Sequence, residues 1–259
     1  MDIGVVKRAI VTPDKHFPLH DKAAINCLCK SIEIVKPDIY IDLGDVGEWE
    51  AFSHWRFKRK KAPPLEYLIK DFDKDVKDVN KGMDIIDESL DKVNCKEKYI
   101  TEGNHDNWLN HAVEKYPYIP QYKFPNAVNL KDRGYKYYPM GKYLKIGKLY
   151  FYHGHQLGGQ YHAANHLRKK GCNVMYGHWH DIQQHSITHH DGVKSAWSIG
   201  CLKDMSPKAN GWLDYRDVNW SHAFAIVDFF GNGYFTVHVM QIIKGKTSLW
   251  GEVIDGTVK

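Results

Sequence analysis

Residues 98–106 read KYITEGNHD, and in this stretch a short apolar segment runs directly into a polar cluster. The run Lys98 to Thr101 has the length and composition of a buried strand. It leads into the tetrapeptide Gly-Asn-His-Asp at 103–106. Because α/β folds place their binding sites at the C-terminal ends of strands, this order of residues predicts a functional site within an α/β fold.

Four other segments share this arrangement, in which an apolar strand candidate ends in Asp or His side chains. They are Asp14-Lys15-His16, Gly44-Asp45, His153-Gly154-His155 and Gly177-His178-Trp179-His180. Each segment alone could arise by chance, but five of them with strand and helix material between them could hardly do so. Their carboxylate, imidazole and amide donors, with no thiolate, suit Mn²⁺, Fe²⁺ or Zn²⁺ at a reactive site better than a structural zinc cage.

The first half of the chain predicts strands that alternate with helices. Apolar residues spaced three and four apart predict one helix over 21–35 and a long one over 65–93. From residue 183 onward, short apolar runs separated by turn residues predict a β-rich second half. No internal repeat or domain boundary is visible, so we expect one domain that spans residues 1–259.

Composition narrows the class of protein further. Of the 259 residues, 43% are hydrophobic and 26% are charged, which excludes disordered and fibrous classes. A net charge of +5 permits an anionic partner without requiring one. The 16 histidines are an excess of the side chain that proteins most often use for metal ligation and proton transfer. Five cysteines without a C-x-x-C pair, and no export signal or membrane span, predict a cytoplasmic protein with no membrane partner.

The ordered set D-x-H, G-D, G-N-H-D, H-G-H and G-H-x-H resembles the motifs of the calcineurin-like metallophosphoesterase superfamily. The motifs span residues 14–180, about two-thirds of the chain. The resemblance implies an α/β fold, namely a four-layer α/β/β/α sandwich of two mixed sheets with the site at one edge. It also implies an enzyme that hydrolyses phosphate esters with two divalent metal ions. We expect Mn²⁺, with Fe²⁺ and Zn²⁺ as alternatives.

Transferred residue by residue, the resemblance implies seven metal ligands, which are Asp14, His16, Asp45, Asn104, His153, His178 and His180. Asp45 would bridge the two ions. The H-G-H motif offers two candidates for one ligand position. We favour His153, because it directly follows the apolar run over 149–152, and His155 then lines the substrate pocket.

The same resemblance implies the catalytic groups. The histidine that matches His105 faces the leaving group in the superfamily, so His105 is the candidate general acid. Two acids are candidates for orienting it, namely Glu48, three residues after Asp45, and Asp106. The implied reaction is attack on phosphorus by a hydroxide that bridges the two metal ions, without a covalent enzyme intermediate.

The sequence constrains the substrate least. The residues after Gly44-Asp45 lack the arginine that Ser/Thr protein phosphatases carry, which argues against a phosphoprotein. Residues 49–61 mix aromatic and basic side chains, a pattern that suits single-stranded nucleic acid, although a partly packed surface loop would look the same. We take Trp55 and Arg56 from this segment as candidate substrate-binding residues.

Arg168 is a further substrate-binding candidate, although as part of a basic helix end it could simply complement the helix dipole. The favoured function is therefore a phosphodiesterase or nuclease that acts on DNA or RNA. Two alternatives stay open, namely a phosphomonoesterase acting on nucleotides or proteins and a non-catalytic scaffold of the same fold. Loops that contain Trp197, Lys203, Trp212 and Arg216 are candidates to overhang the site and set its specificity.

Overall fold

The computed structural model describes residues 4–58, 61–214 and 216–258. Five α-helices, α1 to α5, are described: Lys22–Val35, Leu65–Lys92, Asp106–Lys115, Phe124–Ala127 and His162–Lys170. The described strands, β1 to β13, are Val5–Thr12, Ile39–Asp42, Glu97–Thr101, Tyr135–Tyr138, Leu144–Ile146, Leu149–Phe151, Asn173–Tyr176, Ile182–His189, Gly192–Ile199, His222–Phe230, Phe235–Ile242, Lys246–Leu249 and Glu252–Asp255. Short 3₁₀ helices occupy Glu50–Phe52, His54–Phe57, Pro120–Tyr122 and Gly211–Leu213.

The strands form two large sheets and one hairpin. The first sheet has the order β11-β10-β1-β2-β3-β4, with β1 to β4 parallel and β10 antiparallel to both of its neighbours. The second sheet has the order β5-β6-β7-β9-β8, with β6, β7 and β9 parallel and β5 and β8 antiparallel. Strands β12 and β13 pair separately. Both large sheets are therefore mixed, as predicted.

Successive side chains of β1 point to opposite faces of the first sheet, and they show how the layers pack. Ala9 and Val11 lie in a core shared with Phe151 and Met175 of the second sheet, so the two sheets pack face to face. Ile10, between them, points to the opposite face and joins the core beneath α1 and α2. Helix α5 packs on the outer face of the second sheet. This arrangement confirms the α/β/β/α sandwich.

The two predicted long helices form close to their expected bounds. Asp21 caps α1, because its carboxylate accepts a hydrogen bond of 2.7 Å from the main-chain N–H of Ala24. Pro37 follows the last residues of α1 and prevents its continuation. Helix α2 buries its apolar stripe against the first sheet and α1. In the part of the chain that the structure describes, no helix combines the length and apolar character needed to cross a membrane.

Gly82 allows α2 to approach the loop after β1. A Cβ atom at this position would lie 2.2 Å from the ring of Phe17, a fully buried residue directly after His16. Gly82 therefore serves as a contact surface, although the same glycine weakens the helix by its intrinsic propensity.

We predict that Gly82→Ala destabilises the protein. Alanine is the better helix former by about 1 kcal/mol, but overpacking against a buried ring costs about 1–3 kcal/mol or more. Thermal unfolding should therefore show a lower Tm for Gly82→Ala. Lys77→Ala, on the exposed side of the same helix, is the control and should leave the Tm unchanged. A Tm for Gly82→Ala equal to or above that of the native chain would contradict the packing described.

Candidate metal centre

The predicted ligands follow the C-terminal ends of five strands that belong to both sheets. In the first sheet they come after β1, β2 and β3, and in the second sheet after β6 and β7. Because these strands are parallel within each sheet, their C-terminal ends share one edge, and the packing of the sheets brings the two edges together. Side chains that are up to 166 positions apart thus meet in one buried cleft.

Asp14, His16 and His180 form one group with the spacing of a metal site. The Nε2 atoms of His16 and His180 are 3.2 Å apart, and Oδ1 of Asp14 lies 3.6 Å from Nε2 of His180. All three side chains are buried. Two imidazole nitrogens and a carboxylate that face one another in this way offer three donors to a single cation.

Asp45, His153 and His178 form a second such group. Nε2 of His153 lies 3.3 Å from Oδ2 of Asp45 and 3.2 Å from Nδ1 of His178. Asn104 joins this group, because its Oδ1 is 2.9 Å from the same nitrogen of His153. The structure thus brings all seven predicted ligands together in these two groups.

Asp45 connects the two groups. Its Oδ2 lies 3.3 Å from Nε2 of His153 and 3.8 Å from Nε2 of His16, so one carboxylate oxygen faces both groups of donors. The other oxygen, Oδ1, accepts a hydrogen bond of 2.8 Å from the main-chain N–H of His105. This is the position that a shared ligand between two neighbouring ions requires.

The backbone is strained at this edge. Four of the seven residues have left-handed backbone conformations, with φ of 51° at His16, 48° at Asp45, 69° at His178 and 62° at His180. Such conformations are uncommon for residues other than glycine, and they concentrate at functional sites, where the surrounding structure enforces them. Four of the seven predicted ligands are therefore held in conformations that are uncommon for their residue types.

Two motif glycines permit the close packing of these loops. A Cβ atom on Gly103 would lie 2.1 Å from Oδ1 of Asp45, and one on Gly177 would lie 2.1 Å from Oδ2 of Asp14. Any other residue would displace a predicted ligand. The glycines of G-N-H-D and G-H-x-H are thus required by the space around the two carboxylates.

Hydrogen bonds outside the cleft fix the orientation of the ligands. Asp14 accepts the main-chain N–H of His178 at 3.0 and 2.8 Å. Nδ1–H of His153 donates to the carbonyl oxygen of Leu43 at 2.9 Å, which leaves Nε2 to face Asp45. A metal-binding histidine is normally fixed in this way by a partner on its other nitrogen.

The electrostatics of the cleft fit divalent cations. Burial would raise the pKa of Asp45, but the neighbouring His153 and His105 outweigh it and hold that pKa well below its ordinary value. Burial would lower the pKa of His153, but Asp45 and Asp14 raise it to about 9. Burial and the charge of Lys203 lower the pKa of His16 to about 4. Burial and the charge of His153 lower the pKa of His178 to about 3. A metal ion binds to ionised carboxylates and neutral imidazoles. A metal ion in this cleft would therefore replace the proton on His153.

The carboxylate of Glu48 has a different partner from the one expected. Its Oε2 lies 2.9 Å from Nδ1 of His16 and accepts a hydrogen bond of 2.7 Å from Nζ of the buried Lys203. These two neighbours lower the pKa of Glu48 to about 2 although its burial opposes the shift. This corrects the expectation that the Glu48 carboxylate orients His105. Glu48 instead supports His16, and Lys203 fixes Glu48 in place.

His105 is oriented by the main chain. Its Nδ1–H donates to the carbonyl oxygen of Glu48 at 2.9 Å, and its ring packs on the indole of Trp108 with centroids 4.0 Å apart. The His105 ring also contacts His16 edge-on at 4.7 Å, which places it beside the cleft. With Nδ1 engaged, Nε2 is the nitrogen that remains for a substrate.

Asp106 holds the loops together and does not orient His105. It is fully buried, and its carboxylate accepts the indole N–H of Trp49 at 2.8 Å and the main-chain N–H groups of Val46 and Gly103 at 3.2 and 3.1 Å. Burial and the charge of Asp45 raise its pKa to about 7. The catalytic role expected for Asp106 is therefore corrected to a structural one, which ties the loop after β2 to the loop after β3.

His155 lies beside the ligands His153 and His178. Its ring centroid is 6.1 Å from those of both His153 and His178, whereas His153 itself contacts Asp45 and Asn104. The geometry thus favours His153 for the ligand position. His155 lines a small pocket next to the cleft, together with Tyr152 and Met140.

The aromatic and basic segment at 49–61 is largely packed onto α2. Phe52 is buried and stacks on Phe72 at 4.0 Å, and Arg56 forms a 2.7 Å ion pair with Asp71. Trp55 is exposed, with the ammonium of Lys58 4.3 Å from its ring centroid. Arg59 and Lys60 lie outside the described residues. The segment is thus mainly a surface loop, and the charge of Arg56 is already compensated.

Arg168 lies away from the cleft. Helix α5 begins near the C-terminal end of β6 and runs back to the start of β7, whereas His178 follows the far end of β7. Because Arg168 is in the last turn of α5, the length of β7 separates it from the ligands. Its assignment as a substrate-binding residue stays a prediction.

A buried network of hydrogen bonds lies under α5. Nε2 of His162 is 2.9 Å from Oδ1 of Asp181, and its Nδ1 is 2.7 Å from the hydroxyl of Tyr176. The indole of Trp179 donates to the carbonyl oxygen of Leu157 at 3.0 Å. These bonds anchor the loop that carries His178 and His180. The only signal in the sequence was the position of Asp181 directly after a predicted ligand.

Comparison with known proteins finds similarity over nearly the whole chain. The gene 54 proteins of Mycobacterium phages L5 and D29 are each 23% identical over 267 aligned residues, which cover 95% of this chain and 98% of theirs. No family model matches.

Two solved structures are similar to this chain over most of their length. A Vps29 single mutant from Entamoeba histolytica is 14% identical, with 96% of this chain and 98% of that chain covered and a TM-score of 0.47. The phosphoesterase Yfce from E. coli is 15% identical, with 85% and 88% covered and a TM-score of 0.39. The assignment of function therefore rests on the side chains of the cleft.

We predict that Asp45→Asn reduces metal binding at both groups of donors, because it weakens the one carboxylate that faces both. Metal analysis after incubation with Mn²⁺ and gel filtration should show about two ions per native chain and clearly fewer for the variant. Asp132→Asn, an exposed acid outside the cleft, is the matched control. A full metal content in Asp45→Asn would refute the shared position of Asp45.

Proposed function

We propose that this chain is a dinuclear metal-dependent phosphoesterase of the calcineurin-like type that hydrolyses phosphodiesters, with nucleic acid as its favoured substrate class. The observation that supports the proposal most directly is the pair of donor groups that meet at Asp45. Two divalent ions, with Mn²⁺ favoured, would supply Lewis acidity and activate water for attack on phosphorus. Seven residues would hold them: Asp14, His16, Asp45, Asn104, His153, His178 and His180.

The chain's own residues then have distinct tasks. Asp45 and Asp14 supply the negative charge that fixes cations in the cleft. Glu48 and Lys203 keep the imidazole of His16 in one orientation. His105, fixed through Nδ1 by the Glu48 carbonyl, presents Nε2 to the leaving-group oxygen and can donate a proton to it.

The charges around the cleft favour a diester over a monoester. Near neutral pH a phosphomonoester carries close to two negative charges, whereas a diester carries one. The two buried lysines beside the ligands are both compensated, because Lys15 pairs with Asp42 at 2.8 Å and Lys203 pairs with Glu48 at 2.7 Å. Neither lysine is available for the additional charge of a monoester.

We predict that His105→Asn lowers kcat about 10²–10⁴-fold, because an amide cannot donate the proton that the leaving group requires. The metal content should stay at the native value, since His105 is not among the proposed ligands. His111→Asn, which changes an exposed histidine on the helix that begins directly after His105, is the matched control and should keep native activity. Full activity of His105→Asn would remove it from the mechanism.

The preference for diesters is tested with two small substrates. With Mn²⁺ present, we expect kcat/KM for bis-p-nitrophenyl phosphate to exceed that for p-nitrophenyl phosphate, because Lys15 and Lys203 are both paired and do not support the second charge. Initial rates measured across both concentration series give the ratio. Faster hydrolysis of the monoester would overturn the preference, and no hydrolysis of either ester by fully metal-loaded protein would favour a non-catalytic scaffold.

A further inference from the structure

Two tryptophans form a wall beside the metal centre. The ring of Trp220 contacts His180 edge-on, with centroids 4.6 Å apart, and the ring of Trp212 lies 6.1 Å from Trp220. Trp220 is half-buried, whereas Trp212 is 61% exposed. The pair therefore extends from a predicted ligand to solvent and ends in an open aromatic face.

The inner part of this wall is joined to the ligand loop. The main-chain N–H of Ser221, directly after Trp220, donates to the carbonyl oxygen of His180 at 2.8 Å. The carbonyl oxygen of Ser221 accepts the N–H of Cys201 at 2.9 Å, at the end of β9. Trp220 is thus positioned by the same segment that positions His180.

The outer part is also held by its surroundings. Trp212 lies in the 3₁₀ helix Gly211–Leu213, and the guanidinium of Arg216 donates to the carbonyl oxygens of Leu213 at 2.8 Å and Trp212 at 3.4 Å. The buried side chain of Asn210, just before this helix, donates to the carbonyl of Asp204 at 2.7 Å. These bonds connect the residues on both sides of the exposed indole to one another.

Charge does not explain what this surface would bind. Residues 203–221 contain three basic and three acidic side chains, so the segment is neutral as a whole. Its prominent feature is the exposed ring of Trp212. Aromatic faces of this kind stack on nucleobases, and they do so with little dependence on which base is present.

We propose that Trp212, backed by Trp220, is a stacking platform for an unpaired nucleobase of the substrate, next to the phosphate that the metal centre cleaves. Ring contacts of 4.6 and 6.1 Å connect His180 to Trp220 and Trp220 to Trp212, so the platform lies beside the metal centre. A base in a duplex has both faces covered, so the platform selects single-stranded ends or nucleotide diesters. This inference rests on the proposed phosphodiesterase function.

The experiment compares two diesters with the same leaving group. One is thymidine 5′-(p-nitrophenyl phosphate), which carries a base, and the other is methyl p-nitrophenyl phosphate, which does not. In Trp212→Ala, the ratio of kcat/KM for the first substrate to that for the second should fall about 5–150-fold, the effect of losing one stacked base. Trp212→Phe should restore most of the ratio, because it keeps an aromatic face.

Trp250 provides the matched control. It is 62% exposed, nearly the same as Trp212, but it lies on the hairpin β12–β13, where its ring faces Arg8. Trp250→Ala should leave the ratio at the native value. An unchanged ratio in Trp212→Ala, or an equal fall in Trp250→Ala, would overturn the proposal.

A binding measurement separates this inference from the proposed function. Tryptophan fluorescence of metal-free protein, titrated with oligothymidylate, should be quenched in the native chain and much less in Trp212→Ala. If neither diester is hydrolysed but this difference is seen, the phosphodiesterase function fails and the platform stands. If the diesters are hydrolysed and the quenching is the same in both proteins, the platform fails and the enzyme stands.

Discussion

The carboxylates of Asp14 and Asp45 carry negative charge in a cleft that solvent hardly reaches. The arrangement of the surrounding residues depends on compensating that charge. An ionised group in such a place is costly unless cations or hydrogen-bond donors face it. Main-chain N–H groups of His178 and His105 supply part of the compensation, and the imidazolium of His153 supplies more. A pair of divalent ions would complete it, which is why the same residues suit a metal centre.

Bringing these charges together requires five loops to approach more closely than ordinary residues permit. Gly103 and Gly177 leave room for the two carboxylates, and His16, Asp45, His178 and His180 accept left-handed backbone conformations. The apolar faces of both sheets pack against each other behind this edge. This packing stabilises the fold and offsets the cost of the strained backbone conformations. The glycines in the short sequence motifs are thus explained by the close approach of the loops.

The sequence predicted the features that depend on local pattern. The strand predicted from Lys98 to Thr101 forms as Glu97–Thr101, and α1 and α2 also differ from their expected bounds by one residue at an end. Helix α3 was missed because its sequence is mostly polar, and strands of three or four residues such as β4, β5, β12 and β13 carry too little periodicity. In the cleft, the motifs indicated the ligands, but the contacts of Glu48, Asp106 and Lys203 depend on tertiary structure.

Helix α5 supplies no ligand, yet it fastens the loop that carries two of them. His162 is bonded to Asp181 beneath the helix, and Trp179 is bonded to Leu157 on the other side of the loop. These two bonds restrain the loop from opposite sides, so the positions of His178 and His180 are set by the fold itself. A cation that entered the cleft would therefore meet donors that already face one another, and it would lose less free energy in ordering the loop than at a flexible site.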